Sequence, residues 1–406
     1  MAVALLVTLA APVLAYASVR NAAIDAAGNA GDPSSAMPPR SAVPPMKAVM
    51  RAARRPETRL PPNALSVART AAIASPLAYE PYYIAGRIEE QAGRYGRATL
   101  LMEEARRRRP SATSVHVALL GYYSLANAYQ KAIDEADLAM RINGGTATLI
   151  LPAFAKLVAL DAKARGAIAV ALAKNPPWRD AFLSTASSAK MDPAVAKALV
   201  ADIRRLRPSA APGPEEAFLI RALVGAGRFR EARALWESYD GKTSGNGNAI
   251  VDPNFRGAPN MQPFAWTFHA GQDGVAEIGK DGNAARSQLE VDYFGDAEVG
   301  LANQTLSVPP GRYRLSSLVS GNSSAPDIRL AWTLTCLPFN APIAQLQLQP
   351  LQERFARREV AVTVPASGCE GQSLSLVGQP GDISRTLNAQ IAHVSLNPIG
   401  SSRDGR

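Results

Sequence analysis

The sequence predicts a multidomain α + β protein in which an all-α solenoid is followed by an all-β, jelly-roll-like sandwich. Three observations support this prediction: small residues repeating every 34 positions in the first half, apolar–polar alternation in the second half, and an uneven charge distribution. Residues 1–240 contain 31 Lys and Arg against 20 Asp and Glu, whereas residues 241–406 contain 13 against 14. The basic excess therefore belongs to the first half, and it favours acidic partners.

Residues 1–19 form an apolar run without a charged side chain. A helix of that length rises roughly 28 Å, which is enough to cross a hydrocarbon core, so the run predicts a membrane anchor. Its end, Ala15-Tyr16-Ala17, has the pattern of a signal-peptidase site, which leaves a cleaved secretory signal open. A buried helix of the folded body is a third alternative. Residues 20–46, rich in Pro, Gly and Ala, predict a spacer.

Residues 47–240 are predicted to form the solenoid. Small residues and helix stops recur at intervals of 34 residues: Ala64, Ala71 and Pro76, then Ala98, Ala105 and Pro110, then Ala132, Ala139 and Gly144. This spacing resembles the tetratricopeptide repeat, in which small residues let paired helices pack closely. Gly86 and Ala98 match the family pattern and Tyr82 replaces its usual Trp, whereas Ala85 and Glu89 depart from it.

In tetratricopeptide repeats the first helix of each pair lines the concave face. The resemblance therefore implies that Tyr83, Arg87 and Glu90, which share one side of a helix, point into a groove that binds a protein partner. Arg87 would offer a planar donor fork to a carboxylate. An ordinary solvated helix face is the alternative.

Residues 241–249 are a turn-rich linker, residues 250–398 are predicted to form the β-sandwich, and residues 399–406 are predicted to be a flexible tail. Apolar side chains alternate with polar ones in several short segments, such as 289–293, 312–315, 329–336 and 359–364. Short segments of period two separated by Gly and Pro turns are typical of a sandwich.

Landmarks of this half include the segments 252–255 (DPNF), 263–266 (PFAW) and 309–313 (PPGRY), Trp332 and the two cysteines. Together they look like the carbohydrate-binding-module-like sandwich of membrane-anchored tetratricopeptide-repeat proteins found in proteobacterial exopolysaccharide loci. The resemblance implies a scaffold protein on the inner membrane that faces the periplasm and assists exopolysaccharide assembly or export. Release to the periplasm after signal cleavage is the alternative. Protein partners on the solenoid and anionic polysaccharide are implied; nucleic acid is not.

Trp266, Tyr293 and Phe294 are the candidate glycan-binding residues, because a flat aromatic ring matches the apolar face of a sugar. For Trp266 a structural role is the alternative. Cys336 and Cys369 are predicted to form a disulfide, which an extracytoplasmic location favours over two buried free thiols.

The sequence lacks the common motifs of hydrolases and nucleotide-binding proteins, so we expect a non-catalytic protein without cofactor or metal. A glycan hydrolase or lyase with a non-standard site is the alternative function. Asp292, Asp296 and Glu298 could bind Ca²⁺, but solvated turn acids are the favoured interpretation.

Overall fold

The computed structural model describes residues 44–55, 58–208, 211–240, 248–257, 263–279, 287–323, 327–383 and 385–399. These residues divide into two compact units, with the boundary between Ala211 and Pro212. The predicted anchor, nearly all of the spacer and most of the linker and tail lie outside the described residues. Within the described ranges, no helix combines the length and the apolar character needed to cross a membrane.

The described part of the first unit is helical. Its α-helices are α1 (Pro44–Ala53), α2 (Ala64–Ala74), α3 (Glu80–Gln91), α4 (Tyr95–Arg108), α5 (Thr113–Leu125), α6 (Tyr129–Ile142), α7 (Ala147–Leu160), α8 (Ala162–Ala173), α9 (Arg179–Ser188) and α10 (Pro193–Leu206). The starts of α4 and α6 are 34 residues apart, and each packs against the helix that precedes it. The predicted all-α region is thus confirmed, whereas membership of the tetratricopeptide family stays a prediction.

The repeated small residues lie where α3 and α4 meet. A β-carbon on Gly86 would stand 3.0 Å from Met102 Cε and 3.4 Å from the Ala98 carbonyl oxygen, so only glycine allows this approach without displacement. Ala98 and Ala105 are fully buried. The repeat therefore reflects close packing of paired helices.

Side-chain caps set the starts of two further helices. Asp161 accepts hydrogen bonds from two backbone N–H groups in the first turn of α8. Asp192 does the same with one N–H group at the start of α10, where Pro193 occupies the first turn.

The second unit contains a β-sandwich. Its strands are β1 (Thr267–Phe268), β2 (Ala270–Gly271), β3 (Gly274–Gly279), β4 (Gln288–Tyr293), β5 (Val299–Leu306), β6 (Gly311–Ser323), β7 (Arg329–Leu337), β8 (Ala341–Gln347), β9 (Ala356–Val364), β10 (Gly371–Gln379) and β11 (Leu387–Pro398). They form a five-stranded sheet in the order β1-β5-β10-β7-β8 and a six-stranded sheet in the order β2-β3-β4-β11-β6-β9. Every paired neighbour is antiparallel, as the alternation predicts.

The inner faces of the two sheets form one apolar core. On β7, Leu330, Trp332 and Leu334 are all fully buried, in agreement with the alternation along that strand. The Trp332 indole N–H donates to Ser317 Oγ at 3.2 Å, which satisfies its one polar atom. The core therefore fixes which side chains of the five-stranded sheet face outward.

The predicted boundary at residue 240 is wrong. Helices α11 (Pro214–Gly225) and α12 (Phe229–Asp240) belong to the second unit, with the sandwich. The rings of Trp236 and Phe264, both almost fully buried, pack at 6.0 Å between centroids. Phe229 lies directly on Gly371, where a β-carbon would come within 2.4 Å of the ring. These contacts join the last helical pair to the sandwich, because the aromatic side chains of α12 are buried there.

Candidate functional site

The residues expected to line a groove of the first unit are buried. Tyr83, Arg87 and Glu90 are 4%, 4% and 6% exposed. Arg87 Nε donates to the Ala53 carbonyl at 2.9 Å and its guanidinium pairs with Glu90, which also accepts from the Tyr122 hydroxyl at 2.7 Å. The prediction of an open face was wrong, because α1 and α5 cover this side of α3.

The pKa shifts of Arg87 and Tyr83 agree with a buried, structural role for these residues. Burial lowers the pKa of Arg87, but Glu90, Tyr83 and Tyr122 together raise it by more, so that the pKa is raised overall. Burial raises the pKa of Tyr83, so its hydroxyl stays protonated. Arg87 therefore stays charged beside Glu90, and the contacts of these two residues hold three helices together.

Consecutive arginines near the end of α4 also make contacts within the first unit. Arg106 pairs with Glu135, whose other oxygen lies 2.6 Å from His116 Nδ1. Arg107 and Arg108 both pair with Glu104. Three of the arginines at this helix end are therefore paired with carboxylates.

The prediction that Tyr293 contacts glycan at the surface is wrong. It is fully buried, since it shares the inward face of β4 with Leu289 and Val291. Its hydroxyl donates to the Ala297 carbonyl at 2.7 Å, and burial raises its pKa to about 12. Phe294, the next residue, is half-buried, and its role in glycan binding stays a prediction.

Trp266 belongs to an aromatic cluster at the edge of the core. Its ring centroid lies 5.4 Å from that of Phe255, 6.4 Å from that of Phe268 and 5.6 Å from that of Trp332. Its indole N–H donates to the Asp252 carbonyl at 3.1 Å. These contacts hold the segment that precedes β1 against the sandwich, which explains why the two sequence landmarks occur together.

Cys336 and Cys369 form the predicted disulfide, with their Cα atoms 4.8 Å apart. Cys336, the last residue but one of β7, lies beside Gln372 of β10, and Cys369 lies just before β10. The bond therefore ties the turn after β7 to the loop before β10.

The acidic residues of the sandwich form no metal centre in the part of the chain that the structure describes, where no three His, Cys, Asp or Glu side chains cluster. Asp292 instead accepts a hydrogen bond from Asn388 across the strand pair. His269 Nε2 is buried and has no hydrogen-bond partner among the described residues.

The outer face of the five-stranded sheet carries an uncharged polar surface that sequence analysis missed. Cross-strand register places one residue from each strand side by side in the order Thr267, Asn303, Ser375, Thr333 and Gln345. We call these five side chains the polar row. With strands roughly 4.8 Å apart, the row spans about 19 Å. The outer two are exposed and the central three are half-buried.

Hydrogen bonds orient the centre of the polar row. Asn303 Nδ2 donates to Ser375 Oγ at 2.6 Å and to Ser373 Oγ at 2.7 Å. The two serine oxygens lie 3.4 Å apart, so at least one hydroxyl hydrogen is left to donate elsewhere. The Thr333 and Thr335 side chains make no hydrogen bond to another described residue. The surface can therefore both donate to and accept from a bound molecule.

The alternation that identified the strands also marks these positions. Ser373 and Ser375 alternate with buried leucines on β10, as Thr333 and Thr335 do with buried residues on β7. What the sequence could not provide was the register that brings the side chains of different strands into one row.

Similarities to known proteins are found only among solved structures. No protein-family model matches the chain, and no curated protein matches it. Among solved structures, similar ones include the CBM22-1 xylan-binding domain from Paenibacillus barcinonensis Xyn10C, with 10% identity, a TM-score of 0.28, and 39% of this chain and 100% of that chain covered. The C-terminal family 22 carbohydrate-binding module of Clostridium thermocellum Xyn10B has 14% identity, a TM-score of 0.29, and coverage of 39% and 98%.

The enzymatically active domain of tailspike protein 4 from Bacteriophage CBA120 is also similar, with 14% identity and a TM-score of 0.29. That match covers 38% of this chain but only 22% of the tailspike chain. These similar structures include carbohydrate-binding modules, and each match covers less than two fifths of this chain.

Proposed function

We propose that this protein is a non-catalytic glycan-binding scaffold that faces the periplasm and assists exopolysaccharide assembly or export. In this proposal the sandwich binds glycan and the helical unit contacts protein partners. The observation that carries the proposal is the polar row, a continuous set of uncharged hydrogen-bonding side chains on an outer sheet face.

Sugar hydroxyls both donate and accept hydrogen bonds, as do the hydroxyl and amide groups of the polar row. The row spans about 19 Å, so it suits an oligosaccharide rather than one sugar. Because its five members carry no charge, they offer no counter-ion to an acidic sugar, and the row favours a neutral polymer over the anionic one expected from overall charge.

The location and the exopolysaccharide pathway rest on the apolar run at residues 1–19 and on the resemblance described above. The disulfide between Cys336 and Cys369 supports an oxidising compartment. The buried polar links of α3 support a rigid scaffold for the helical unit.

A glycan hydrolase would need two carboxylates that flank a bound sugar. Glu277 and Glu290 are cross-strand neighbours on the six-stranded sheet, but both are exposed on its outer face. Nothing in their surroundings favours one as an acid and the other as a nucleophile, so binding is the better-supported function.

The test is affinity electrophoresis of the full-length protein in gels containing xylan, galactan, mannan or alginate. Ser375→Trp would place a large ring in the middle of the polar row and should abolish retardation. Thr333→Val removes one hydroxyl at constant volume and should weaken binding about fivefold, which corresponds to one hydrogen bond. Thr363→Trp, at an exposed position on the outer face of β9, is the matched control.

Retardation by at least one neutral polymer that Ser375→Trp loses and Thr363→Trp keeps would support the proposal. No retardation of wild type by any polymer would contradict it. So would equal retardation of wild type and Ser375→Trp, provided that both unfold at the same temperature.

A further inference from the structure

The two most exposed large apolar side chains in the described part of the chain lie four residues apart in the first unit. Leu77 is 86% exposed and Ile73 is 83% exposed. Ile73 belongs to the last turn of α2, and Leu77 lies in the turn that leads to α3. We call residues 73–78 the apolar tip; no charged side chain occurs in the whole stretch 70–79. Aliphatic side chains left in water forgo the stabilisation of burial, so the apolar tip gains from contact with a second apolar surface.

The backbone of the apolar tip is held in place. The Ala78 N–H donates to the Ser75 carbonyl at 3.0 Å, which closes the turn. The Pro76 carbonyl accepts a hydrogen bond from Arg108 Nε at 3.0 Å. Leu77 therefore projects from a turn that is already ordered, and its backbone loses little conformational entropy when the side chain binds.

Further arginines lie beside the apolar tip. Arg54 Nη2 donates to the Tyr79 hydroxyl at 3.4 Å, and the Arg109 guanidinium lies 5.1 Å from the centroid of the Tyr79 ring. Tyr79 directly follows the tip, so both guanidinium groups are next to it. Arg69 is exposed and precedes Ile73 by one turn on the same side of α2.

Positive charge exceeds negative charge in this region. Residues 44–79 contain one Lys and five Arg against one acidic residue. Glu80 begins α3 just after the tip, and Glu104 pairs with both Arg107 and Arg108. A basic surface that presents aliphatic side chains is complementary to an anionic bilayer, in which lipid phosphates border the acyl chains.

We propose that the apolar tip inserts into the surface of an anionic phospholipid bilayer. Ile73 and Leu77 enter the outer part of the acyl region. Arg54, Arg69 and Arg109 lie at the level of the lipid phosphates, to which a planar guanidinium group can donate two hydrogen bonds. The helical unit thus contacts lipid as well as protein partners.

The length of the preceding chain favours a bilayer as the occupant. Residues 20–43, 24 in number, separate the apolar run at residues 1–19 from Pro44, where the described residues begin. A chain of that length spans at most about 85 Å. If the run crosses the membrane, as the sequence predicts, the bilayer is always within reach and even a weak contact is occupied. This inference goes beyond the proposed function and does not depend on glycan binding.

The test is tryptophan fluorescence of the full-length Leu77→Trp variant in phosphatidylcholine vesicles, prepared with and without phosphatidylglycerol. Lipids brominated on their acyl chains serve as quenchers, and the signal of the added indole is the difference from wild type. Brominated lipid should quench this signal strongly when phosphatidylglycerol is present and much less when it is absent. Leu160→Trp, at the 55% exposed last residue of α7, is the matched control and should not be quenched in either vesicle.

A second pair of variants tests the role of charge. Arg69→Gln, made in the Leu77→Trp variant, should lower the ratio of docked to undocked protein about fivefold, as expected for one basic side chain near an anionic surface. Lys156→Gln is the control for this change. It also removes an exposed positive charge one turn before an exposed aliphatic residue, Leu160, and should leave the ratio unchanged.

Three results would overturn the inference. The first is an added indole at position 77 that brominated lipid does not quench, or quenches no more than in Leu160→Trp. The second is equal quenching with and without phosphatidylglycerol. The third is a blue shift that grows with protein concentration in detergent without quenching by lipid, because a second copy would then cover the tip. None of these results bears on glycan binding in gels, so the two proposals can fail separately.

Discussion

Gly371 is the position where the last helical pair is most closely fitted to the sandwich. An alanine there would place its β-carbon 2.4 Å from two carbons of the Phe229 ring and 2.8 Å from a third. Phe229 begins α12 and is 3% exposed, so its ring has no free space into which it can turn. We predict that Gly371→Ala forces α12 away from β10.

The expected cost follows from overpacking. Inserting one methyl group into a close-packed site costs about 1–3 kcal/mol. For a unit of this size, each kcal/mol lowers the midpoint of thermal unfolding by roughly 2–4 °C. Gly371→Ala should therefore lower the midpoint of the second unit by several degrees.

The assay is thermal unfolding of the full-length protein, followed by tryptophan fluorescence, because Trp236 of α12 is buried against Phe264. Gly300→Ala is the matched control: it lies in β5 of the same sheet, and nothing stands within 4 Å of the added β-carbon. Phe229→Ala should reduce the extra cost of Gly371→Ala in a double-mutant cycle. Equal stability of Gly371→Ala and Gly300→Ala would refute the assignment of this helical pair to the sandwich unit.

Three further predictions concern stability. Tyr122→Phe removes the hydroxyl that donates to buried Glu90 and should destabilise the first unit by about 1–3 kcal/mol in urea unfolding; an unchanged midpoint would contradict the buried link. Replacing both Cys336 and Cys369 by serine should lower the free energy of unfolding by about 3–4 kcal/mol, because the bond closes a loop with a sequence separation of 33. A reductant should lower the unfolding midpoint of wild type towards that of the variant and leave the midpoint of the variant unchanged. Burial, with the charge of Arg357, lowers the pKa of His393 below its ordinary value of 6.5, so the unfolded chain takes up the proton first as pH falls. Stability should therefore decline as pH falls from about 7.5 to 5.5, and His393→Gln should show a shallower decline. Parallel stability curves for wild type and His393→Gln would contradict the lowered pKa of His393.

The sequence predicted the two kinds of architecture because periodicity is a local property. Small residues every 34 positions marked helix contacts such as Ala98 of α4 against α3, and alternation placed Trp332 in the core. The disulfide was also predictable, since the chain has only two cysteines and an apparent export segment. Each of these inferences needed only neighbouring residues or a simple count.

The candidate sites were less predictable because they depend on contacts between distant segments. Spacing showed that Arg87 and Glu90 share one face of α3, but not that α1 and α5 cover that face. Tyr293 falls on the same alternating face as Leu289 and Val291, so the pattern predicts its burial, whereas its aromatic ring alone suggested a glycan contact. Helical periodicity likewise could not show that α11 and α12 pack on the sandwich, because the same apolar face suits either surface.

The central claim is that a glycan binds across the polar row. A crystal structure of the protein with an oligosaccharide of the neutral polymer that binds in gels would test it most directly. The account predicts a sugar chain lying across the five strands, with its hydroxyls about 2.7–3.2 Å from the side-chain oxygens of Thr333 and Ser375. A sugar bound on the six-stranded sheet or on the helical unit, with the polar row bare, would contradict it.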